Sequence, residues 1–190
     1  MHLVSDLAKR DGLPDALRVL LAQYPRNIWE SHRNFDGLTR FWLERHLMFR
    51  QVLERLQAET RSFIDQGADP ARFSPDTARL MGFFLNQLDG HHKIEDMQYF
   101  PQLMGLETRL SKGFELLDSD HHALDGELHG LAADTNLMLG HLRARDHTAG
   151  RDAAGTLEAR LTRFAGFLDR HLVDEEDLVV PVILHHAPRM

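Results

Sequence analysis

The sequence predicts an all-α fold, an up-down-up-down four-helix bundle preceded by a short helical extension, and three observations carry that prediction. β-Branched residues are few, so strand signals are nearly absent. Apolar residues recur at steps of three and four over long stretches, the period of one helix face. Segments of the chain also repeat at fixed offsets, as an internally two-fold bundle requires.

In chain order, residues 1–26 form the extension, with a short helix from Pro14 to Tyr24, and residues 27–186 form the bundle. The first long helix covers residues 28–56, with Ile28, His32, Phe35, Thr39, Trp42, His46, Phe49, Leu53 and Leu56 on one stripe, and ends before Gly67-Ala68-Asp69-Pro70. Ser74-Pro75 reads as an N-cap followed by proline at the first helical position. The second helix runs from there to Pro101, with Met81, Phe84, Leu88, His91 and Glu95 inward. A third begins just before Gly113 and carries Phe114, Leu117, His121, Leu124, Leu128, Leu131, Thr135, Met138 and Leu142. After a polar loop from Arg145 to Asp152, the fourth shows Leu157, Leu161, Phe164, Leu168, His171, Glu175, Leu178 and Val182.

Composition narrows the function. With 190 residues and 43% hydrophobic content, the chain can bury one substantial core. The absence of cysteine excludes disulfides, thiolate metal sites and cysteine nucleophiles. A net charge of −7 leaves no basic stripe for phosphates, so no nucleic-acid partner is expected. No apolar run approaches a membrane span and no secretory signal is evident, so a cytoplasmic protein without membrane contact is expected. The 13 histidines are the outlier.

Those histidines fall into a pattern. An offset of 80 residues superimposes His91-His92-Lys93-Ile94-Glu95-Asp96 on His171-Leu172-Val173-Asp174-Glu175-Glu176, and Phe100-Pro101 on Val180-Pro181. An offset of 89 superimposes Ser31-His32 on Asp120-His121. His32, His91, His121 and His171, with Glu95 and Glu175, occupy stripe positions where leucine belongs, and alternating helix directions bring all four histidines to one end of the bundle. Residues four apart on a helix lie about 40° and 6 Å from each other, so each His-x-x-x-Glu pair can reach one metal cluster. Buried without partners, such groups would each cost roughly 1–3 kcal/mol; chelation removes the conflict. Imidazole and carboxylate suit iron, manganese or zinc, and two carboxylates able to bridge suit a metal pair.

Other residues carry weaker expectations. His46 shares the stripe but stands about 21 Å along the helix from His32, which assigns it to a separate polar layer with Thr77 and Thr135. Asp36 and Asp125 are either hydrogen-bond partners of the ligand imidazoles or solvated flanks, and Asp96 and Glu176 are either such partners or surface. Tyr99 is a rim residue able to donate a hydrogen bond or an electron. His92 and His122 are alternatives to their neighbours His91 and His121, disfavoured because they leave the stripe, and His2, His129, His141, His147, His185 and His186 read as surface.

The motifs His32, His91-x-x-x-Glu95 ahead of Phe100-Pro101, Asp120-His121 and His171-x-x-x-Glu175-Glu176 ahead of Pro181 resemble the hemerythrin-like HHE cation-binding domains over residues 27–186. The resemblance implies a four-helix bundle around two iron ions with an oxo or hydroxo bridge, manganese or zinc being alternatives. The oxygen carriers of that family use five histidines, with His-x-x-x-His on the third helix, where this chain has Asp125. A set of four histidines and two glutamates is instead similar to the di-iron iron–sulfur-repair proteins and the iron-sensing F-box ubiquitin-ligase subunit. Reversible oxygen transport is not expected on that set, and the repair proteins' cysteine-bearing region is absent. The expected function is binding or sensing of a small oxidant, namely dioxygen, nitric oxide or peroxide. Alternatives are a di-iron peroxidase or nitric-oxide reductase, and an iron reservoir or metal-dependent interaction protein.

Overall fold

A computed structural model describes residues 6–188; His2 and the first five residues of the extension lie outside them. The described residues are all helical, without a strand. Short turns of helix come first: a 3₁₀ turn at Asp15–Leu17, α1 at Val19–Gln23 and a 3₁₀ turn at Arg26–Ile28. Then follow α2 (Gly37–Gln66), α3 (Pro70–Ile94), a π-helical turn (Glu95–Tyr99), α4 (Phe100–Leu106), a 3₁₀ turn (Thr108–Leu110), α5 (Ser111–Arg143) and α6 (His147–His186). The four long helices α2, α3, α5 and α6 are consistent with a helical bundle.

Helix starts follow local chemistry. Asp36 caps α2, its Oδ1 accepting the Thr39 amide and hydroxyl at 2.8 Å each. The helix therefore begins nine residues later than the apolar stripe suggested, and His32 precedes it. Asp36→Ala is expected to cost about 1 kcal/mol in chemical denaturation while leaving metal stoichiometry unchanged. Asp69 caps α3 through the Ala71 amide at 2.9 Å, with Pro70 in the first helical position. The proline-start rule thus applies at Asp69-Pro70, one step before Ser74-Pro75, and Pro75 lies inside the helix. Asp146 caps α6 through the Ala149 amide at 3.0 Å, so the loop expected from Arg145 to Asp152 is mostly helix. Arg145 makes that tight turn with a left-handed φ of 59°, and Gly67, at φ 65°, closes α2 where glycine was expected to stop it.

The chain divides into two compact units. Unit 1 comprises Met1–Leu47, His91–Ala123 and Phe167–Met190. Its apolar core joins Leu13, Leu17 and Leu20 of the N-terminal segment to Trp42, Phe100, Leu103, Phe114, Leu117, Leu178 and Val182. Gly113 permits close approach there, since a β-carbon at that position would lie 2.8 Å from the Leu178 methyls. Unit 2 comprises Met48–Gly90 and Leu124–Gly166. Its core is aromatic and aliphatic: Phe63 stacks on Phe73 at 4.3 Å, and Phe84 meets Phe49 and Phe164 edge to face. Thr60 and Thr135 turn their hydroxyls back to the carbonyls four residues earlier, which lets them be buried.

Candidate metal centre

Unit 1 holds the polar cluster. α2 supplies Trp42 and His46, the end of α3 supplies His91 and His92, the π turn begins with Glu95, α5 supplies Asp120 and His121, and α6 supplies His171, Asp174, Glu175 and Glu176. The π turn widens the helix where it must present His91, His92 and Glu95 to one interior, and such insertions collect at functional sites. Pro101 lacks the N–H that would bind the Met97 carbonyl and crowds that carbonyl, which favours the widening. Pro181, its counterpart in the repeat, leaves α6 α-helical, so proline alone does not dictate it.

Two groups of donors face each other. His46, His91, Glu95 and Glu175 have ligand atoms within 4.8 Å of one another, as do His92, His121 and His171. His46 Nε2 stands 3.1 Å from His91 Nε2, and His121 Nε2 stands 3.1 Å from His171 Nε2. Both glutamates divide their oxygens between the groups. Glu95 Oε1 is 2.9 Å from His91 Nε2 while its Oε2 is 3.6 Å from His121 Nε2. Glu175 Oε1 is 3.6 Å from His46 Nε2 while its Oε2 is 3.5 Å from His171 Nε2. Donors bound to one ion at about 2.0–2.2 Å stand roughly 3–3.5 Å from each other, so these spacings fit two cations bridged by two carboxylates.

Satisfaction of the polar atoms tests the fit. Glu95 Oε1 and Oε2, Glu175 Oε2 and His92 Nε2 are buried and have no hydrogen-bond partner among the described residues. Four such atoms aimed into one cluster would cost several kcal/mol, and a bound cation relieves all of them. Three of the imidazoles are engaged on the outer side of the cluster. His46 Nδ1 faces Glu176 Oε1 at 3.0 Å, His121 Nδ1 faces Asp96 Oδ1 at 2.7 Å, and His171 Nδ1 faces Asp120 Oδ2 at 3.3 Å. A carboxylate accepting the Nδ1 proton leaves Nε2 as a lone pair aimed inward, the arrangement that orients metal-binding imidazoles. Trp42 Nε1 donates to Glu175 Oε1 at 2.6 Å, and Tyr99 lies tilted on the Trp42 ring at 5.0 Å.

Burial sets the protonation of the metal-free cluster. Desolvation, reinforced by Glu175, holds the Glu95 carboxyl well above the usual range. Burial would raise Glu175 too, but His46, His171 and His91 draw it well below that range. Burial also lowers His91 to about 3 and pushes His92 well down, and it lowers His171. His46 is the exception: desolvation is outweighed by Glu175 and Glu176, and its pKa rises to about 8. Metal binding near pH 7 should therefore release protons, His46 and Glu95 being the groups whose shifts favour their protonated forms, because ligands bind deprotonated. Calorimetry in buffers of different ionisation enthalpy measures that release; zero release would contradict this protonation pattern.

The metal-free protein should also be most stable near the ordinary histidine pKa. His46, raised from 6.5 to about 8, contributes stability that is complete below 6.5 and lost as pH rises through 8, about 2 kcal/mol. His91, lowered to about 3, contributes stability that is present above 6.5 and lost progressively as pH falls toward that value. Urea denaturation of apo-protein from pH 5 to 9 should therefore trace a maximum between these limbs.

Of the six residues expected to ligate metal, five meet here: His91, Glu95, His121, His171 and Glu175. His32 does not. It sits in the turn before α2, edge-on to Tyr24 at 5.4 Å, with Nδ1 accepting the Asn34 amide. His46 stands in the place assigned to it, and the separate polar layer does not exist as expected, since Thr77 and Thr135 belong to unit 2. A signal was present: His46 and His91 are 45 residues apart and His121 and His171 are 50, a better match for a two-fold bundle than 59 against 50. His92 also joins, stacked on His121 at 4.0 Å. Adjacent residues diverge by about 100° on a helix, which is why His92 left the stripe. Here both point into the cluster, His91 toward His46 and His92 toward His121 and His171. Asp36 is a helix cap, Asp125 is exposed beside His129, and Asp96 and Glu176 hold imidazoles. His122, His129 and His147 are exposed, as expected.

A helical fold with a buried cluster of histidines and glutamates fits a cation-binding helical protein. A family model, the hemerythrin HHE cation binding domain, matches residues 37–183, and the chain belongs to that family. The match begins at the first residue of α2, beyond His32. No curated protein and no solved structure matches the chain. Among the described residues no helix is long and apolar enough to cross a membrane.

Proposed function

We propose that this protein is a non-haem di-iron protein that binds or senses a small oxidant, with residues 27–186 forming an up-down-up-down bundle around the site and residues 1–26 an N-terminal extension to it. The observation that carries the reading is the pair of buried glutamates whose oxygens are divided between two histidine groups, both oxygens of Glu95 and Oε2 of Glu175 having no hydrogen-bond partner among the described residues. His46 and His91 with one oxygen of each glutamate offer four protein donors to one ion. His92, His121 and His171 with the remaining oxygens offer five to the other. An external ligand is expected on the four-donor side. The bound pair would supply Lewis acidity and reversible one-electron chemistry, as imidazole-carboxylate iron sites do.

The chain's own part is to hold, exclude and orient. Burial keeps bulk water out, Asp96, Asp120 and Glu176 fix three imidazoles through Nδ1, and Trp42 restrains the Glu175 carboxylate. The five-histidine, two-carboxylate count removes the argument against oxygen carriage that a four-histidine set provides. A second reading, reductive turnover of peroxide or nitric oxide, is favoured by the contact of half-buried Tyr99 with Trp42, which joins the outside to a bridging carboxylate.

Protein made in iron-replete cells should contain about two irons per chain. Reduced protein mixed with dioxygen, nitric oxide or peroxide in a stopped-flow spectrophotometer then decides among the ligands. Reversible oxygenation through vacuum cycles supports carriage, a nitrosyl adduct supports sensing, and sustained turnover with a reductant supports the enzyme. Stoichiometric zinc with no iron would overturn the di-iron reading.

A further inference from the structure

A second group of metal-capable side chains lies in unit 1, outside the buried cluster. Glu107, His185 and His186 present ligand atoms that all fall within 4.8 Å of one another. His186 Nε2 is 3.2 Å from Glu107 Oε2, a hydrogen-bond distance that two donors on one ion also adopt. His185 and His186 are consecutive and end α6, yet their rings stand only 4.6 Å apart, edge to face. The chain leaves the helix immediately after them through Ala187, whose φ of 47° is left-handed. Tyr24 Oη and His185 Nδ1 share a hydrogen bond at 3.0 Å, and in the tautomer whose Nδ1–H donates to Tyr24 the His185 Nε2 is a lone pair.

We propose that Glu107, His185 and His186 form a mononuclear site for a divalent transition ion such as zinc. Two imidazoles and one carboxylate are the donor set of three-ligand zinc sites that keep a position open. Glu107 is 4% exposed, so its carboxylate is held in place rather than free to turn into solvent. Arg109 donates to both Glu107 oxygens at 2.7 Å from an exposed side chain, leaving each oxygen a further lone pair for His186 or a metal. None of the three residues belongs to the buried cluster, so the proposal stands or falls separately from the di-iron reading.

The test is zinc binding to full-length protein carrying its native metal, by equilibrium dialysis with elemental analysis before and after. Wild type should take up one zinc per chain with its other metal retained. His185→Ala should weaken that uptake at least about tenfold, and His129→Ala, at an exposed histidine paired only with its own helix, should not change it. His185→Ala alters an exposed side chain, and an unchanged helical circular dichroism spectrum confirms its fold. No added zinc, zinc taken up only in exchange for the native metal, or uptake that survives His185→Ala combined with His186→Ala would each overturn the proposal.

Discussion

If the proposed di-iron centre is right, Glu95→Ala and Glu175→Ala should each reduce bound iron from about two ions per chain to one or none, because each would remove a donor from both ions at once. No other single substitution in the cluster does that. His92→Ala removes one donor from one ion and should leave the metal on the His46 side, giving about one iron per chain or a weakly held second. Asp96→Ala acts through His121, whose Nδ1 it holds at 2.7 Å, and should weaken metal binding by about 10- to 100-fold without changing saturated stoichiometry. His32→Ala should change neither. Elemental analysis of the five proteins separates the cases. Two irons with an unchanged optical spectrum in both glutamate variants would show that the carboxylates do not bridge.

How legible this centre was depended on what each residue's signal is made of. His91, Glu95, His171 and Glu175 were readable because a repeated motif on a helix interior survives any error in helix ends: the spacing of four is local. The histidine of the first helix was not readable in that way. Its choice rested on where the helix begins, and the stripe of Ile28, His32 and Phe35 continues in phase across Asp36-Gly37 although the backbone is not helical there. Those apolar residues are buried by a different route, with Ile28 and Phe35 packing against Trp29, Val180 and Leu184 from outside any long helix. Periodicity reports burial, and burial does not require helix. His92 was set behind His91 because a leucine-width stripe takes only one of two adjacent residues; the π turn at Glu95 to Tyr99, which no residue pattern announced, accompanies the wider face that presents both. Fold class was the most secure inference, since it needed only the period of the long helices, and loop lengths the least, with Arg145–Asp152 shrinking to a three-residue turn once Asp146 acts as a cap.

Arg10→Ala should destabilise the protein by about 3–5 kcal/mol, although Arg10 touches no proposed ligand. Its guanidinium is buried, with Nε donating to Asp174 Oδ2 at 2.7 Å and both terminal nitrogens donating to Asp120. The side chains of Asp120 and Asp174 are themselves 1% and 0% exposed, so removing Arg10 strands negative charge in the interior. Asp174 keeps Arg170, whereas Asp120 keeps the His171 imidazole at 3.3 Å. The stranded carboxylate should therefore pull a proton onto His171, the opposite of what a metal requires of that ring, and metal affinity should fall along with stability. Two origins of the loss are separable. If it comes from the unpaired charge, Arg10→Met combined with Asp120→Asn should recover much of the stability that Arg10→Ala removes, since the pair's net worth against an uncharged replacement is small. If it comes from loss of the N-terminal segment's packing through Leu13, Leu17 and Leu20, the double variant should be as unstable as the single one. Denaturant unfolding of the metal-free proteins, where ligand binding cannot mask the difference, gives the answer, and a loss below about 1 kcal/mol for Arg10→Ala would show that the buried network contributes little.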